Sequence, residues 1–239
     1  MTKKTLLIYG GNSLITKNII KLFYNEYEKF YIFTRNVKKT KKILRATNRK
    51  NKFIFIQNNI LNLNRTLFNM KIINRLSGVI WISGYVGNAN DKINNYNLCK
   101  KKLEINFLNI VFSINFLLNK IIYKKNNFIC IITSAAGVRG KSKNLFYSLA
   151  KGAMINYLSG LRQKLYNKIR IITVIPGYIK NKKRTNKINI LSVTPEKLSK
   201  IIYKAIKNDE DIVYTGFIWR VALFIIKILP EAIYKRLNI

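Results

Sequence analysis

Seven short, almost uninterrupted apolar runs, each separated from the next by a stretch of different period, restrict this chain to very few architectures. They are Thr5-Leu-Leu-Ile-Tyr9, Phe30-Tyr-Ile-Phe33, Phe53-Ile-Phe-Ile56, Gly78-Val-Ile-Trp-Ile82, Asn127-Phe-Ile-Cys-Ile-Ile132, Arg170-Ile-Ile-Thr-Val-Ile175 and Asp211-Ile-Val-Tyr-Thr215. A strand that is apolar at successive positions is buried on both faces, so these runs predict a sheet covered on both sides. The intervening stretches repeat at helical spacing: Ile15, Ile19, Ile20 and Phe23, then about Leu98–Tyr123, then Phe146–Tyr166. A further helix opens at Thr194-Pro195-Glu196, with an N-cap residue, proline at the first helical position and an acid in the first turn. Strand and helix in alternation predict one α/β domain, doubly wound, with a mostly parallel seven-stranded sheet and helices on both faces. The 239 residues suffice for one such domain. Ligand chemistry in such a sheet belongs at the carboxyl ends of the strands.

Composition removes several chemistries. The chain has no His, which excludes His-based triads, His general bases and His metal sites. Its two cysteines, Cys99 and Cys130, cannot form a metal cluster alone, and Cys130 within Phe128-Ile-Cys-Ile-Ile132 reads as a buried core thiol. Met1-Thr-Lys-Lys-Thr5 carries no secretory signal, so a reducing cytoplasm, with the membrane's cytoplasmic face as a variant of it, is the expected compartment. The net charge of +36, from 45 Lys and Arg against 9 Asp and Glu, invites a nucleic-acid reading. The lysines are spread along the chain and accompany abundant Asn, Ile, Tyr and Phe, the pattern left by an A/T-rich genome. No specific nucleic-acid partner is expected, only salt-sensitive attraction to polyanions.

Chemistry-bearing residues cluster at the predicted strand ends. Tyr147 and Lys151 stand at i and i+4, so a helix places them on one face. A cation beside a phenol favours the phenolate, so Lys151 is expected to lower the Tyr147 pKa and make it an acid–base group. Ser134, thirteen positions before Tyr147, follows the fifth strand and offers a hydroxyl to hold a carbonyl or alcohol. After the first strand come Gly10-Gly11-Asn12-Ser13-Leu14-Ile15-Thr16. This is either an ordinary strand–helix turn or a turn that brings backbone amides, and the Ser13 hydroxyl, to a pyrophosphate. The second strand ends in Thr34-Arg35, with Lys38 and Lys39 beyond and no acid. Arg suits a ribose 2′-phosphate where an acid would take the 2′-hydroxyl, which favours NADP(H), although a solvated cation is the plain alternative. Asn58-Asn59, Ser83-Gly84 and Pro176-Gly177 close the third, fourth and sixth strands, and Asn106 lies among apolar neighbours in a long helix.

Taken together, Gly10–Thr16, Asn106, Ser134, Tyr147 with Lys151, and Pro176-Gly177 resemble the short-chain dehydrogenase/reductase family over about Lys4 to Leu237. The resemblance implies a Rossmann-type domain and an oxidoreductase acting on alcohols or ketones with NADP(H). It implies a catalytic set of Asn106, Ser134, Tyr147 and Lys151. Tyr147 would be the proton donor, Ser134 the holder of the reacting oxygen, and Asn106 the anchor of a water relay behind Lys151. Cofactor contacts would come from Gly10, Gly11, Asn12, Ser13, Leu14, Ile15, Arg35, Asn59, Ser83, Gly84, Tyr147, Lys151, Pro176 and Gly177, with no metal. The chain departs from the family's usual motifs. Leu14 and Thr16 replace the second and third glycines of the turn, Ser83-Gly84 stands in a motif that is usually Asn-Asn-Ala-Gly, Asn59 replaces an Asp, and Asn181 replaces the Thr after Pro-Gly. The variant turn, Ser134-Ala-Ala-Gly-Val-Arg-Gly140 and the carboxyl end resemble more closely one branch, which includes the keto-reductases acting on polyprenyl-phosphoryl pentoses.

Two units are expected: residues 1–216 as the nucleotide-binding domain with the catalytic site, and 217–239 as an apolar and basic helical segment. Phe217–Leu229 is strongly apolar yet carries Arg220 and Lys227, and is shorter than the about 20 residues a spanning helix needs. Such a segment fits an interfacial helix with snorkelling cations, or equally a core helix or a contact in a homo-oligomer. The leading expectation is an NADPH-dependent reductase of a small or lipid-linked ketone. The alternatives are a 3-oxoacyl-[acyl-carrier-protein] reductase and, outside enzymes, a drifted nucleotide-binding module.

Overall fold

The computed structural model describes residues 4–44, 52–87, 92, 94–180 and 192–237. Seven strands form one sheet: β1 (Thr5–Tyr9), β2 (Lys29–Thr34), β3 (Phe53–Gln57), β4 (Gly78–Trp81), β5 (Phe128–Ile132), β6 (Arg170–Ile175) and β7 (Ile212–Tyr214). Their order is β3-β2-β1-β4-β5-β6-β7, and every pair is parallel. The expected doubly wound sheet is therefore present, and wholly rather than mostly parallel among the described residues. The chain reverses direction across the sheet between β1 and β4, which opens a crevice at their carboxyl ends.

Alternation along each strand builds two cores. Leu7 and Tyr9 of β1 face a layer containing Ile110, Ile114, Leu117, Met154 and Leu158. Leu6 and Ile8 face another containing Ile15, Ile19, Phe23, Leu198 and Ile202. The first layer is carried by α3 (Leu63–Met70), α4 (Tyr96–Leu103), α5 (Asn109–Leu118) and α6 (Leu145–Lys164). The second is carried by α1 (Leu14–Phe23), α2 (Val37–Leu44) and α7 (Pro195–Lys207). Two short helices, α8 (Phe217–Ile228) and α9 (Glu231–Tyr234), follow β7. No helix among the described residues is long and apolar enough to cross a membrane.

Two features differ from the sequence reading. The long periodic stretch ends at Leu118 rather than near Tyr123, and a π-helical turn at Glu104–Leu108 separates α4 from α5. That turn brings Asn106 inward, fully buried, and π turns of this kind gather at functional sites. The helices α2 and α3 carry no apolar period long enough to be read beforehand. At the start of α7 the expected cap is present: Thr194 Oγ1 accepts from the Lys197 amide at 3.2 Å, with Pro195 at the first helical position and Glu196 following it. Replacing Thr194 by Ala orphans that amide and is expected to lower the unfolding free energy by about 1 kcal/mol, measured by urea denaturation.

Candidate active site

Backbone packing sets the catalytic face before any side chain acts. Ser134 follows β5 in extended conformation, and its Oγ caps the short turn Ala135–Gly137 by accepting from the Ala136 amide at 3.2 Å. That turn lies directly on α6. A Cβ on Gly137 would fall 2.6 Å from the Lys151 carbonyl carbon, 2.7 Å from its oxygen and 2.8 Å from the Gly152 amide nitrogen. Only glycine permits this approach, and the approach fixes Ser134 relative to the helix that carries Tyr147 and Lys151.

The three side chains converge. The Ser134 hydroxyl hydrogen-bonds the Tyr147 phenol. The Lys151 Nζ stands 5.8 Å from the Tyr147 ring centroid and donates to the Ile132 carbonyl at 3.3 Å. Lys151 is 2% exposed, and burial pulls its pKa down to about 8, since an ammonium is disfavoured away from water. Burial also holds the Tyr147 phenol above its ordinary value, with the Ser134 hydrogen bond opposing that shift. The sequence reading expects the opposite direction for Tyr147. Desolvation of the phenolate is the larger effect here, and it keeps the tyrosine protonated at neutral pH.

Asn106 closes the rear of this group. Its Nδ2 donates to Tyr85 O at 2.8 Å and Lys102 O at 3.0 Å, and its Oδ1 accepts from the Tyr85 amide at 2.9 Å. The amide thereby fastens the loop after β4 to the π turn. A Cβ on Gly84 would lie 3.1 Å from Asn106 Oδ1 and 3.4 Å from Lys151 Nζ, so these residues meet around one point.

Around the first strand the picture is mixed. Gly10 adopts φ +122° and packs against Ser83, whose amide nitrogen would be 3.0 Å from an added Cβ. The amides of both Gly10 and Gly11 donate to Phe33 O at 3.0 Å. These two glycines therefore supply the turn and the close approach, while their N–H groups tie the turn to β2. The Ser13 hydroxyl caps α1 through the Ile15 amide at 3.1 Å, and Asn12 Oδ1 accepts from Thr40 Oγ1 at 2.7 Å. Leu14 is half exposed at the helix start and Ile15 is buried. Thr16 shows how the helix packs without the family's third glycine: it is fully buried, and its Oγ1 donates to Gly10 O at 2.7 Å.

At the neighbouring strand ends, Arg35, Lys38 and Lys39 are exposed past β2. Asn59 is exposed, and its Oδ1 accepts from the Leu61 amide at 3.2 Å. Its neighbour Asn58 is buried, donating to Tyr9 Oη at 2.6 Å and Thr66 Oγ1 at 2.8 Å. The Ser83 Oγ is buried and finds no hydrogen-bond partner among the described residues. Pro176 O accepts from the Ala135 amide at 2.9 Å, joining the β6 end to the serine loop. Gly177 lies flat under Trp219 of α8, whose ring atoms would fall within 2.0–2.5 Å of an added Cβ. Asn181 lies outside the described residues.

Sequence reasoning named Thr16 only as a departure, without its bond to Gly10 O, and missed the packing of Gly137 and of Trp219. The last two are contacts between segments remote in sequence and leave no local trace, whereas Thr16 can be found by asking what replaces the glycine.

A wholly parallel doubly wound sheet with a serine, tyrosine and lysine grouped at its carboxyl edge defines a Rossmann-type oxidoreductase. The chain belongs to the short chain dehydrogenase family, whose profile matches residues 4–190. An uncharacterized oxidoreductase of Mycobacterium tuberculosis is 26% identical over 109 residues, 45% of this chain and 44% of that protein. The match thus spans less than half the length of that relative. Among solved structures, a short chain dehydrogenase from Burkholderia cenocepacia, in complex with NADP, superposes with a TM-score of 0.79 at 15% identity, covering 99% of this chain and 98% of the other. A short chain dehydrogenase/reductase from Burkholderia phymatum, in complex with NAD, also gives 0.79, at 11% identity, covering 93% and 92%.

Two outcomes test this geometry. Gly137→Ala is expected to destabilise the fold by about 1–3 kcal/mol through overpacking. Gly140→Ala, where an added Cβ meets nothing within 4 Å among the described residues, is expected to be neutral in the same urea titration. For Lys151 the folded pKa of about 8 lies below the ordinary lysine value of 10.5, so the folded state binds the proton less tightly. The penalty is therefore full below about pH 8 and fades as pH rises toward 10.5. Lys151→Met is expected to raise the melting temperature near neutral pH, and the difference should shrink above pH 8 when unfolding is followed by calorimetry.

Proposed function

We propose that this chain is an NADPH-dependent reductase that converts a ketone on a lipid-linked sugar or other lipid-like molecule to an alcohol. The observation that carries the reading is the grouping of Tyr147 with Ser134 and Lys151, the Lys151 ammonium itself facing Gly84 and Asn106. The residues at the β1–β4 crevice fit a dinucleotide. Close approach at Gly10 and Gly84, where an added Cβ would lie 3.0 Å from the Ser83 amide nitrogen and 3.1 Å from Asn106 Oδ1, keeps these strand ends free of bulky side chains, and the buried Ser83 Oγ has no hydrogen-bond partner among the described residues. The start of α1, through Asn12 and Leu14, would face the pyrophosphate, since the amides of Gly10, Gly11, Ser13 and Ile15 already donate within the turn or to Phe33 O, with Pro176-Gly177 bounding the far side. Arg35, exposed beside Lys38 and Lys39 at the end of β2, offers a fork of donors to a 2′-phosphate. When bound, the nicotinamide supplies the hydride that no side chain can deliver.

The chain's own residues handle the proton. A tyrosine held above its ordinary pKa is neutral and ready to donate its O–H. The Ser134 hydroxyl, already bonded to that phenol, is placed to hold the substrate oxygen as negative charge develops on it. As Tyr147 gives up its proton, the phenolate left behind gains from the nearby Lys151 ammonium, which burial makes more effective than it would be in water. The ammonium is anchored by Ile132 O, so it needs no reorganisation during the reaction. Asn106 holds the β4 loop against this group and so keeps the cleft shaped.

Tyr147→Phe decides between an enzyme and a nucleotide-binding module. NADPH oxidation against a ketone panel is expected to fall at least about a hundredfold, the lower end of what a positioned acid contributes, with NADPH binding and melting temperature retained. Turnover equal to wild type in the variant would refute the reading.

A further inference from the structure

The helix α8 is apolar on two sides, and only one of them is used by the fold. Inward, Leu223 is 3% exposed and packs with Ala135 and Ile175, while Trp219 lies on Gly177. Outward stand Phe217, Ile218, Val221, Phe224, Ile225 and Ile228, with Phe217 78% and both Phe224 and Ile228 62% exposed. At about 100° per residue these six fall within an arc of roughly 120° on the side away from the sheet. The exposed cations Arg220 and Lys227 sit seven residues apart along one margin of that arc. The pattern continues in the following segment, where Ile233 and Leu237 are exposed beside exposed Lys235 and Arg236.

The helix is also firmly mounted. Arg139, five residues past Ser134, donates to Ile226 O at 2.9 Å and Leu229 O at 2.5 Å at the carboxyl end of α8. The same guanidinium pairs with Glu231 at 2.5 Å and stacks on Tyr234, its carbon 3.8 Å from the ring centroid. Tyr234 Oη in turn donates to Gly140 O at 2.5 Å. A contiguous apolar face this exposed on a rigid element marks an interaction surface.

We infer that the outward face of α8 seats in the surface of an anionic lipid bilayer. Charge complementarity selects this occupant. A chain of net charge +36 repels a second copy of itself, and a two-fold contact through the stripe would set its marginal cations against their own kind. An anionic leaflet attracts the same charges. A single convex helix needs no matching groove in a bilayer. The long side chains of Arg220 and Lys227 can reach phosphate headgroups while the stripe enters the acyl boundary. The inference is independent of which ketone is reduced. It places the serine loop and Gly177, both fastened to α8, close to the bilayer plane.

The test is co-sedimentation of the full chain with phosphatidylcholine vesicles, with and without phosphatidylglycerol, at low and high sodium chloride. Wild type is expected to bind the anionic vesicles and to retain a bound fraction at high salt, because inserted apolar area is not screened. Phe224→Ser/Ile228→Ser changes exposed positions only and is expected to weaken binding at least about tenfold, with melting temperature and NADPH turnover on a soluble ketone unchanged. Arg220→Gln/Lys227→Gln is expected to weaken binding chiefly at low salt. Binding abolished by salt, or unaltered in the serine variant, would reduce the contact to adsorption by net charge and overturn the proposal. A stripe-dependent dimer in sedimentation velocity, or stripe-dependent binding to polyglutamate tighter than to vesicles, would give the face to a second copy or to an acidic protein instead.

Discussion

The contact on which the site depends is the seating of Gly137 on the Lys151 backbone. It contains no charge and no side chain, yet it fixes the distance between the β5 loop and α6. Ser134 is carried on one of those pieces, and Tyr147 and Lys151 on the other. Everything that follows requires that distance, including the Ser134–Tyr147 hydrogen bond and the enclosure that shifts both Tyr147 and Lys151. Preorganisation is thus built into the backbone, and the polar groups inherit it. Burying an ammonium is costly unless its partners compensate. Among the described residues the compensation is modest, one carbonyl at 3.3 Å, so the packing around Gly137 has to hold Lys151 against its own solvation.

Most of the architecture is legible because a parallel sheet covered on both faces leaves runs that are apolar at every position. All seven strands lie where those runs predict, with ends differing by a residue or so. What resists reading is informative. The helix α2 is Val-Lys-Lys-Thr-Lys-Lys-Ile-Leu, in which only Thr40 and Leu44 are buried, too few to show a period above the lysine background. A π turn leaves no such signature, since its extra residue changes the backbone register without changing composition.

The site shows the same division. Ser134, Tyr147 and Lys151 can be found from spacing, because a helix puts i and i+4 on one face and chemistry demands particular residue types. Their electrostatics cannot, since the sign of the Tyr147 shift depends on how completely the phenol is desolvated. The glycine turn is read correctly as a place of close approach, but the destination of its amides, Phe33 O for both Gly10 and Gly11, belongs to tertiary pairing. Thr16 illustrates a local solution to a lost glycine: a hydroxyl that bonds to the turn replaces bare backbone contact.

The strand order carries a consequence for biogenesis. With every neighbouring pair among the described strands parallel, none of these strands can form an early hairpin that holds the sheet together while the rest is made. The inner flank of β1 is paired by β4, which lies more than seventy residues downstream. During synthesis that flank stays unsatisfied until much of the polypeptide has left the ribosome. Assembly is therefore governed by distant pairings, which slows folding and lengthens the interval during which apolar edges are open to wrong partners.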